Sequence, residues 1–452
     1  MAYYRAARAI VTGTKAATAT TVQLFIANTT GRATARNIGG RKNEIHLHCI
    51  GYFRHTPKPD GAIFCRRAHT TRRGHFILFE QFEPSGKGIA RLPVRDVGGG
   101  AKTCGGVERE KMKYYPENLI QSTLTAHGAP CTVAPAVLGY TCTTYTATLD
   151  GGNTPQTVKK AVGALEIATG QKITYNANTG VGNTLKITIP NPERAFPNFF
   201  AFGRNAYNKC AGEMLIGIDT DNKPITANIM DTLSVLVAGA TGSGKSVAVN
   251  NLVLSLAIGA KPSEIVFLMV DLKRTEFSIY DGRLPQLIEP VAYTFDEALR
   301  LIRKTADEID KRYKILQEKG KRKADLSDFP LFVLVIDEYA QLRQGTKEAR
   351  DMLDTLMNKV VNLGRACNVF AIIATQNPVL QVINSTVKYG CQTKICLSVN
   401  NQRHSINIID CAKAVDLLGK GDALVSLPNS PDLQRVQICD LPTADIQYIL
   451  GE

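Results

Sequence analysis

One short segment combines glycines, a lysine and a hydroxyl group at the spacing that binds phosphate. Residues 239–246 read Gly-Ala-Thr-Gly-Ser-Gly-Lys-Ser, which is the pattern G-x-x-x-x-G-K-S. The glycines allow successive backbone N–H groups to point at phosphate oxygens, and the dipole of a following helix adds positive potential. Lys245 would neutralise the β- and γ-phosphates of ATP, and the Ser246 hydroxyl would coordinate Mg²⁺. The predicted nucleotide contacts are Gly239, Ala240, Thr241, Gly242, Ser243, Gly244, Lys245, Ser246 and Val247.

Two adjacent carboxylates follow about ninety residues later. Leu331 to Ile336 is a continuous apolar run, typical of a strand buried on both faces, and it ends in Asp337 and Glu338. Beside the phosphate loop, Asp337 would hold the hydration shell of Mg²⁺ and Glu338 would polarise the attacking water. An apolar run that ends in two acids is also what a solvated strand end looks like, so the prediction depends on the phosphate loop.

Alternating strands and helices must position these residues. That alternation predicts an α/β fold with a doubly wound, mainly parallel sheet. Gln376 follows the last strand, where it would sense the γ-phosphate, although a polar residue at a strand tip is often merely solvated. The predicted strands are 233–238, 265–270, 331–336 and 369–374, and the predicted helices are 248–257, 295–317 and 348–363.

A smaller unit precedes this alternation. Cys131 to Leu149 is dense in β-branched and aromatic residues and predicts two strands or one bent strand. A helix is predicted from Thr154 to Gly170, and two further strands at 172–175 and 184–189. Pro190-Asn191-Pro192 then predicts a joint to the next domain.

The charge of the chain is concentrated in its first quarter. Of a net charge of +14 over 452 residues, residues 1–115 supply 20 basic and 7 acidic side chains. Arg66-Arg67 and Arg72-Arg73 are consistent with a phosphate-binding surface or with a basic arm that binds any polyanion weakly. The histidines and cysteines of this segment match none of the common zinc spacings, so no metal site is predicted there.

Composition excludes several classes of protein. Hydrophobic residues make up 44% and charged residues 21%, which argues against wholesale disorder and against fibrous architectures. No stretch approaches eighteen consecutive apolar residues, and the N-terminus has no signal pattern, so we expect a cytoplasmic protein without a membrane span. The eleven cysteines form no CxxC pair, which predicts reduced thiols.

The order and spacing of several motifs resemble the FtsK/SpoIIIE DNA translocases. The resemblance covers about residues 118–440 and implies a RecA-like P-loop ATPase domain at 193–452. It implies a preceding small domain at 116–192, which leaves 1–115 as a basic N-terminal region of unknown fold. It also implies a ring, usually a hexamer, that threads double-stranded DNA and moves it by ATP hydrolysis. The motifs are Val237–Ser246, Val270–Lys273, Lys311–Lys314, Val335–Glu338, Gly364–Ala366, Ala374–Gln376 and Leu417–Leu424.

The resemblance further implies two DNA-contacting pore loops. One follows the helix that ends near Leu316 and the other follows the strand that ends at Glu338. Their basic side chains would contact phosphates without reading bases, although two solvated charge runs would look the same. The residues concerned are Lys319, Lys321, Arg322, Lys323, Arg343 and Lys347.

Three positions depart from the family pattern. Ser234 and Asn377 replace a histidine and an arginine, and Ile406 stands where an Asp-Ser-Arg motif has its arginine. The arginine that would act on a neighbouring subunit's ATP therefore has two candidates, Arg365 and Arg403, and either could equally form a structural ion pair.

The resulting hypothesis is an ATP-driven translocase of double-stranded DNA, acting in DNA transfer, segregation or the movement of mobile-element or phage DNA. Because the sequence stops at Glu452, just after the motor, we expect no winged-helix domain of the kind found in chromosome-segregating members. We also expect none of their N-terminal membrane helices. Two alternatives remain. A secretion-type ATPase would move polypeptide, but such proteins typically contain several motor domains. The intact Lys245, Asp337 and Glu338 argue against a nucleotide-binding scaffold without turnover, and the missing arginine leaves that alternative open.

Overall fold

The computed structural model describes residues 11–16, 19–27, 33–38, 114–151, 153–177, 180–202 and 211–451. The chain divides into two units, Met1–Glu83 and Pro84–Glu452. In the first unit, three strands pair in sequence order as an antiparallel sheet. The paired arginines, histidines and cysteines noted in this segment lie outside the described residues. The strands are β1 (Val11–Ala16), β2 (Ala19–Ala27) and β3 (Ala33–Ile38).

The second unit begins with a small antiparallel sheet and two helices. Its strand order is β4-β6-β8-β7, and β5 pairs with β6. The 131–149 region forms three strands, not one or two, and α1 lies in a segment for which the sequence analysis makes no prediction. The elements are α1 (Glu117–Ala126), β4 (Cys131–Val133), β5 (Val137–Leu138), β6 (Cys142–Leu149), α2 (Pro155–Thr169), β7 (Thr174–Asn176) and β8 (Thr184–Pro190).

Local sequence explains the bounds of α2. The Thr154 side chain accepts a hydrogen bond from the Thr157 N–H, and Pro155 occupies the first helical position, where its missing N–H costs nothing. The helix ends at Gly170, which is left-handed. Its buried face, which includes Leu165, packs with Leu124 of α1 and Ile187 of β8 in one apolar core.

A nine-stranded sheet forms the larger part of the second unit. Its order is β10-β9-β17-β16-β15-β11-β14-β13-β12. The five strands from β15 to β12 are parallel, and the other four are joined antiparallel. The strands are β9 (Glu213–Asp219), β10 (Pro224–Asn228), β11 (Val235–Ala238), β12 (Ile265–Asp271), β13 (Leu331–Asp337), β14 (Val369–Thr375), β15 (Thr393–Leu397), β16 (Asp422–Ser426) and β17 (Gln434–Gln437).

Helices cover both faces of the parallel strands. They are α3 (Ile229–Thr232), α4 (Lys245–Gly259), α5 (Phe295–Glu318), α6 (Tyr339–Leu342), α7 (Lys347–Leu363), α8 (Ser385–Gly390), α9 (Gln402–Ile409) and α10 (Thr443–Ile449). Short 3₁₀ helices lie at Phe199–Phe202, Gly364–Cys367 and Lys413–Asp416.

Alternating side chains of each strand enter two different cores. Val333 and Val335 face the core that includes α4, whereas Leu334 and Ile336 face the core that includes α5 and α7. Burial on both faces explains why β13 is a continuous apolar run. The predicted α/β fold with a doubly wound sheet is confirmed. The four antiparallel strands of the sheet are not predicted from the sequence. Among the described residues, no helix is long and apolar enough to cross a bilayer.

Candidate nucleotide-binding site

The phosphate loop lies at the carboxyl edge of the parallel strands, directly after β11. The Gly239 N–H donates to the Thr375 carbonyl at 3.3 Å, and the Ala240 N–H donates to the Ser398 carbonyl at 2.8 Å, so the loop is fixed to the ends of β14 and β15. Gly244 has a φ of +101°, a conformation that strongly favours glycine, and α4 begins at the next residue. The segment therefore has the strand–loop–helix form that the sequence predicts.

Lys245 and Asp337 form a buried ion pair across this edge. The Lys245 Nζ donates to Asp337 Oδ1, and each side chain is only 3% exposed. Burial raises the pKa of the Asp337 carboxyl, as do the neighbouring Asp271 and Glu338, while Lys245 acts in the opposite direction. Lys245 must leave Asp337 to reach a phosphate. Ser246 and Asp337 then offer the hard oxygen ligands that Mg²⁺ prefers, so the residues present fit both the nucleotide and the metal.

Glu338 is held by three donors from two separate segments, one at the end of β14 and one after β12. It is buried and has a φ of +56°, an uncommon backbone conformation for a residue other than glycine. Its carboxylate accepts hydrogen bonds from Thr375 Oγ1 at 3.0 Å, the Gln376 N–H at 3.1 Å and Lys273 Nζ at 3.0 Å. These donors fix a charged group at the point where a general base for hydrolysis would stand.

Lys273 is set in place by a buried carboxylate at the end of β12. Asp271 Oδ1 accepts from the Lys273 N–H at 3.2 Å, and Asp271 Oδ2 accepts from the N–H groups of Glu276 and Phe277 at 2.8 and 3.0 Å. In the sequence, Lys273 and Thr375 stand only within family motifs, and neither is predicted to have a role. The available signal is that both residues lie at or just beyond the carboxyl end of an apolar strand, beside Glu338 in the sheet order.

Gln376 connects Glu338 with the phosphate loop. Its N–H donates to Glu338, and its side-chain oxygen accepts from Thr241 Oγ1 at 3.2 Å. The structure therefore brings together the loop residues, Asp337, Glu338 and Gln376, which the sequence analysis proposes as one site.

The two arginine candidates lie at opposite edges of the sheet. Arg365 is exposed in the 3₁₀ helix that precedes β14, at the amino edge. Arg403 is exposed on α9, which follows β15 at the carboxyl edge. Arg365 therefore does not share an edge with the phosphate loop of its own chain.

The first predicted DNA-contacting loop is also at the amino edge, between α5 and β13. Lys319 donates to Asp328 Oδ1 at 3.0 Å, and Lys321 donates to Asp328 Oδ2 at 2.6 Å and to Asp325 at 3.2 Å. Lys321 and Lys319 hold the pKa of Asp328 well below its usual range. Two of the predicted DNA contacts are therefore already paired within the chain, whereas Arg322 and Lys323 are exposed.

A buried arginine anchors this loop to the sheet. Arg312 of α5 is 3% exposed, and its NH1 donates to the carbonyls of Pro330 and Cys367, both at 2.8 Å. Its guanidinium also lies over the rings of Phe329 and Phe332. Arg312 thus fixes the start of β13 to the 3₁₀ helix before β14.

The second predicted DNA-contacting loop begins beyond the carboxyl end of β13. Arg343 pairs with Asp354 and donates to the Gln381 carbonyl at 3.2 Å, so its side chain is only 14% exposed. Lys347 is exposed at the start of α7. The seven residues of β13 separate the two loops by roughly 20 Å at the usual rise per residue of a strand. The two basic loops therefore do not form one patch within a single chain.

Several known proteins are similar to this chain in sequence or in fold. The sequence profile of the FtsK/SpoIIIE family matches residues 204–328. The DNA translocase FtsK of Lactococcus lactis subsp. cremoris (strain MG1363) is 29% identical over 383 residues, which cover 80% of this chain and 49% of that protein. The DNA translocase SpoIIIE of Bacillus subtilis (strain 168) is 27% identical over 379 residues, covering 79% of this chain and 48% of that protein.

The chain is therefore similar to the FtsK/SpoIIIE DNA translocases over most of its length, and the family profile itself matches residues 204–328. It spans about half the length of these two curated members of the family. Among solved structures, the pCW3 conjugation coupling protein TcpA, in its monomer form with ATPγS, is 20% identical with a TM-score of 0.51. The match covers 74% of this chain and 98% of that one, and it shows that the fold is shared.

Proposed function

We propose that this chain hydrolyses ATP and uses the energy to move double-stranded DNA in the cytoplasm. The proposal rests above all on one observation, the buried contact of Lys245 with Asp337 beside a fixed Glu338 at the edge that holds the phosphate loop. The names of the family members, which are DNA translocases, support the choice of DNA as the substrate. We assign residues 193–452 to the motor, 116–192 to the small domain and 1–115 to a basic N-terminal region.

Each residue of the site has a separate task in this proposal. Residues 239–247 would surround the phosphates with N–H donors, and Lys245 would transfer from Asp337 to the β- and γ-phosphates. Ser246 and Asp337 would hold Mg²⁺, which supplies charge neutralisation between the phosphates when bound. Glu338 would accept a proton from the attacking water, and Gln376 would report the state of the γ-phosphate to Glu338 through the hydrogen bond between them.

DNA would be held by phosphate contacts that do not depend on sequence. Arg322 and Lys323 are exposed for this role, while Lys319, Lys321 and Arg343 would first exchange their carboxylate partners for phosphate oxygens. A ring, of six copies in the family pattern, would place Arg365 at the ATP of the next subunit. The position of Arg365 at the edge opposite the phosphate loop supports this choice over Arg403.

The deciding experiment is steady-state ATP hydrolysis with and without linear duplex DNA, across a salt series. We expect DNA to stimulate hydrolysis, and the stimulation to fall as salt rises because phosphate contacts release counterions. Lys245→Ala should lower the rate at least about a hundredfold, as expected when a main phosphate donor is removed. Lys160→Ala, which changes an exposed lysine of the small domain, is the matched control.

Movement is tested separately from hydrolysis. A third strand bound to the duplex should be displaced only when ATP is hydrolysed and the duplex is long enough for the motor to reach it. Hydrolysis that is indifferent to DNA would refute the translocase proposal while leaving the ATPase intact.

A further inference from the structure

A second loop packs directly against the phosphate loop. It is the turn at residues 417–422, between the 3₁₀ helix at 413–416 and β16. The Gly421 N–H donates to the Ser243 carbonyl at 2.7 Å. A Cβ at Gly244 would lie 2.7 Å from the Gly421 nitrogen, so the two backbones are in direct contact. Any change in the shape of this turn therefore changes the support beneath Gly244, the residue that precedes Lys245.

The turn has a backbone that does not hold its shape by itself. Gly419, Lys420 and Gly421 have φ values of +69°, +49° and +87°, so three successive residues are left-handed. Residues other than glycine adopt this conformation singly and at a cost, because Cβ crowds the following carbonyl. Gly419 and Gly421 adopt it freely, but Lys420 does so at a cost that the surrounding contacts must offset.

The contacts that hold the turn in this conformation come from an arginine outside it. Arg194 NH1 donates to the Leu418 carbonyl at 3.0 Å, and Arg194 NH2 donates to the Gly419 carbonyl at 2.8 Å. Arg194 NH2 also donates to Gln437 Oε1 at 3.3 Å, and Gln437 Nε2 in turn donates to the Lys420 carbonyl at 2.8 Å. Three successive carbonyls of the turn are thereby held by one guanidinium and one amide.

Arg194 belongs to the segment that joins the small sheet to the nine-stranded sheet. The N–H groups of its neighbours Asn191 and Ala195 donate to the carbonyls of Thr141 and Tyr140, both at 2.9 Å. Its backbone is therefore fixed to the small sheet, while its side chain reaches the turn. A second connection runs through Arg435, whose guanidinium binds Asp422 and also donates to Thr174 Oγ1 of β7 at 3.2 Å.

We propose that Arg194 is a positioning residue for nucleotide binding, which sets the 417–422 turn and through it the phosphate loop. This inference rests on the proposed function, because it assumes that the loop binds a nucleotide. It gives the small domain a specific task at the ATP site. Arg194 itself touches no phosphate, and its effect reaches the nucleotide only through backbone contacts.

The test is isothermal titration calorimetry with Mg²⁺ and the non-hydrolysable analogue AMP-PNP on the full chain. Arg194→Met removes all three hydrogen bonds of the guanidinium and should raise the Kd about tenfold, less than their full loss would give because the effect reaches the nucleotide only through the turn. Arg194→Lys should fall between this variant and the unchanged chain, because a lysine is not a planar fork that can bind two carbonyls. Circular dichroism of each variant checks that it is folded.

A substitution on the other side of the same contact makes the test independent of Arg194. A Cβ at Gly421 would meet Gln437 Nε2 at 2.6 Å and occupy a left-handed position, so Gly421→Ala should raise the Kd by a similar factor. Because both changes act through one turn, the double variant should bind about as tightly as the weaker-binding single variant. Lys186→Met is the matched control, since Lys186 pairs with Asp221 of the β9–β10 hairpin from the small sheet but does not contact the turn.

The possible results separate the two proposals. If the unchanged chain does not bind AMP-PNP, the proposed function fails and this inference fails with it. If the unchanged chain binds and a folded Arg194→Met variant binds equally well, the positioning role alone is refuted. Full additivity of Arg194→Met and Gly421→Ala would also refute it, because the two would then act separately.

Discussion

The two ends of β13 hold their charged residues in opposite ways. At the carboxyl end, Asp337 and Glu338 are 3% and 4% exposed, and their partners come from other strands and loops. At the amino end, Lys319 and Lys321 are 48% and 40% exposed, and both bind Asp328 within their own loop. Asp328 is itself only 4% exposed, so the difference lies in the lysines. A buried charge needs a fixed environment, whereas a lysine that reaches solvent can exchange partners at little cost. The first arrangement suits chemistry on a defined ligand, and the second suits contact with a moving polyanion.

The largest expected effect separates chemistry from binding at the carboxyl end. Glu338→Gln should lower ATP hydrolysis by about 10²- to 10⁴-fold, because the amide cannot accept the proton of the attacking water. The Kd for AMP-PNP and the affinity for duplex DNA should stay close to those of the unchanged chain. Glu348→Gln, at an exposed position in the first turn of α7, is the control. Loss of AMP-PNP binding in Glu338→Gln would mean that Glu338 is needed for the shape of the site.

A smaller effect is expected from Lys273, because it contacts Glu338 and not the nucleotide. Lys273→Ala should lower kcat about tenfold with little change in KM, the pattern of an interaction that matters in the transition state. Lys273→Arg should restore part of the rate, since it keeps a charged donor near Glu338 Oε2. Lys304→Ala is matched, because Lys304 also pairs with a glutamate, Glu289, but on the surface. A faster rate in Lys273→Ala would show that Lys273 restrains Glu338 and does not orient it.

At the amino end of β13, substitutions are expected to affect DNA binding and not hydrolysis. Replacing Lys321, Arg322 and Lys323 together by alanine should weaken duplex DNA binding and leave hydrolysis without DNA unchanged. The slope of log affinity against log salt should become shallower by about 0.9 for each phosphate that the variant no longer neutralises. The triple alanine variant of Lys159, Lys160 and Lys223, three exposed lysines outside this loop, removes the same number of positive charges and controls for net charge. An unchanged salt slope would exclude this loop from the DNA interface.

The smallest expected effect is a gain in affinity for DNA. Asp328→Asn should release Lys319 and Lys321 and strengthen duplex DNA binding by a few-fold, while the melting temperature at pH 7 falls slightly. Because the pKa of Asp328 is lower in the folded chain, its carboxylate stabilises the fold above about pH 4, its unfolded value, and that contribution is lost as pH falls further. The stability difference between the two chains should therefore shrink in acid. Asp307→Asn, an exposed position on α5, should show neither change.

Features that depend on a local run of residues can be predicted from the sequence. The sequence places the phosphate loop, Asp337 and Glu338 on the correct elements because a strand, a tight loop and a buried run each leave a local pattern. The predicted bounds of α5 and α7 agree with the structure to within one residue at each end. The predicted start of α4 is three residues late, since the prediction begins the helix after the loop and the structure begins it at Lys245.

Contacts between distant segments cannot be predicted in this way. The hydrogen bond from Lys273 to Glu338 joins residues 65 positions apart and depends on the order of strands in the sheet. The antiparallel strands β10, β16 and β17 are only four or five residues long and lack the long apolar runs of β12, β13 and β14. Strand β9 has an apolar run, but the run does not show that its partners in the sheet are antiparallel. By contrast, Lys321 and Asp325 are four residues apart, so their ion pair can be predicted from the sequence.

The pairing of β13 with a strand on each side also makes it mechanically stiff. It is hydrogen-bonded along its length to β12 on one side and to β14 on the other, and Arg312 fixes its first residues to the 3₁₀ helix before β14. A strand paired on both sides hardly stretches, so a displacement of Leu331, its first residue, would move the peptide that bears Glu338 by nearly the same distance. Under the proposed function, a force that reaches the start of β13 would therefore be passed along the strand to the hydrolytic centre.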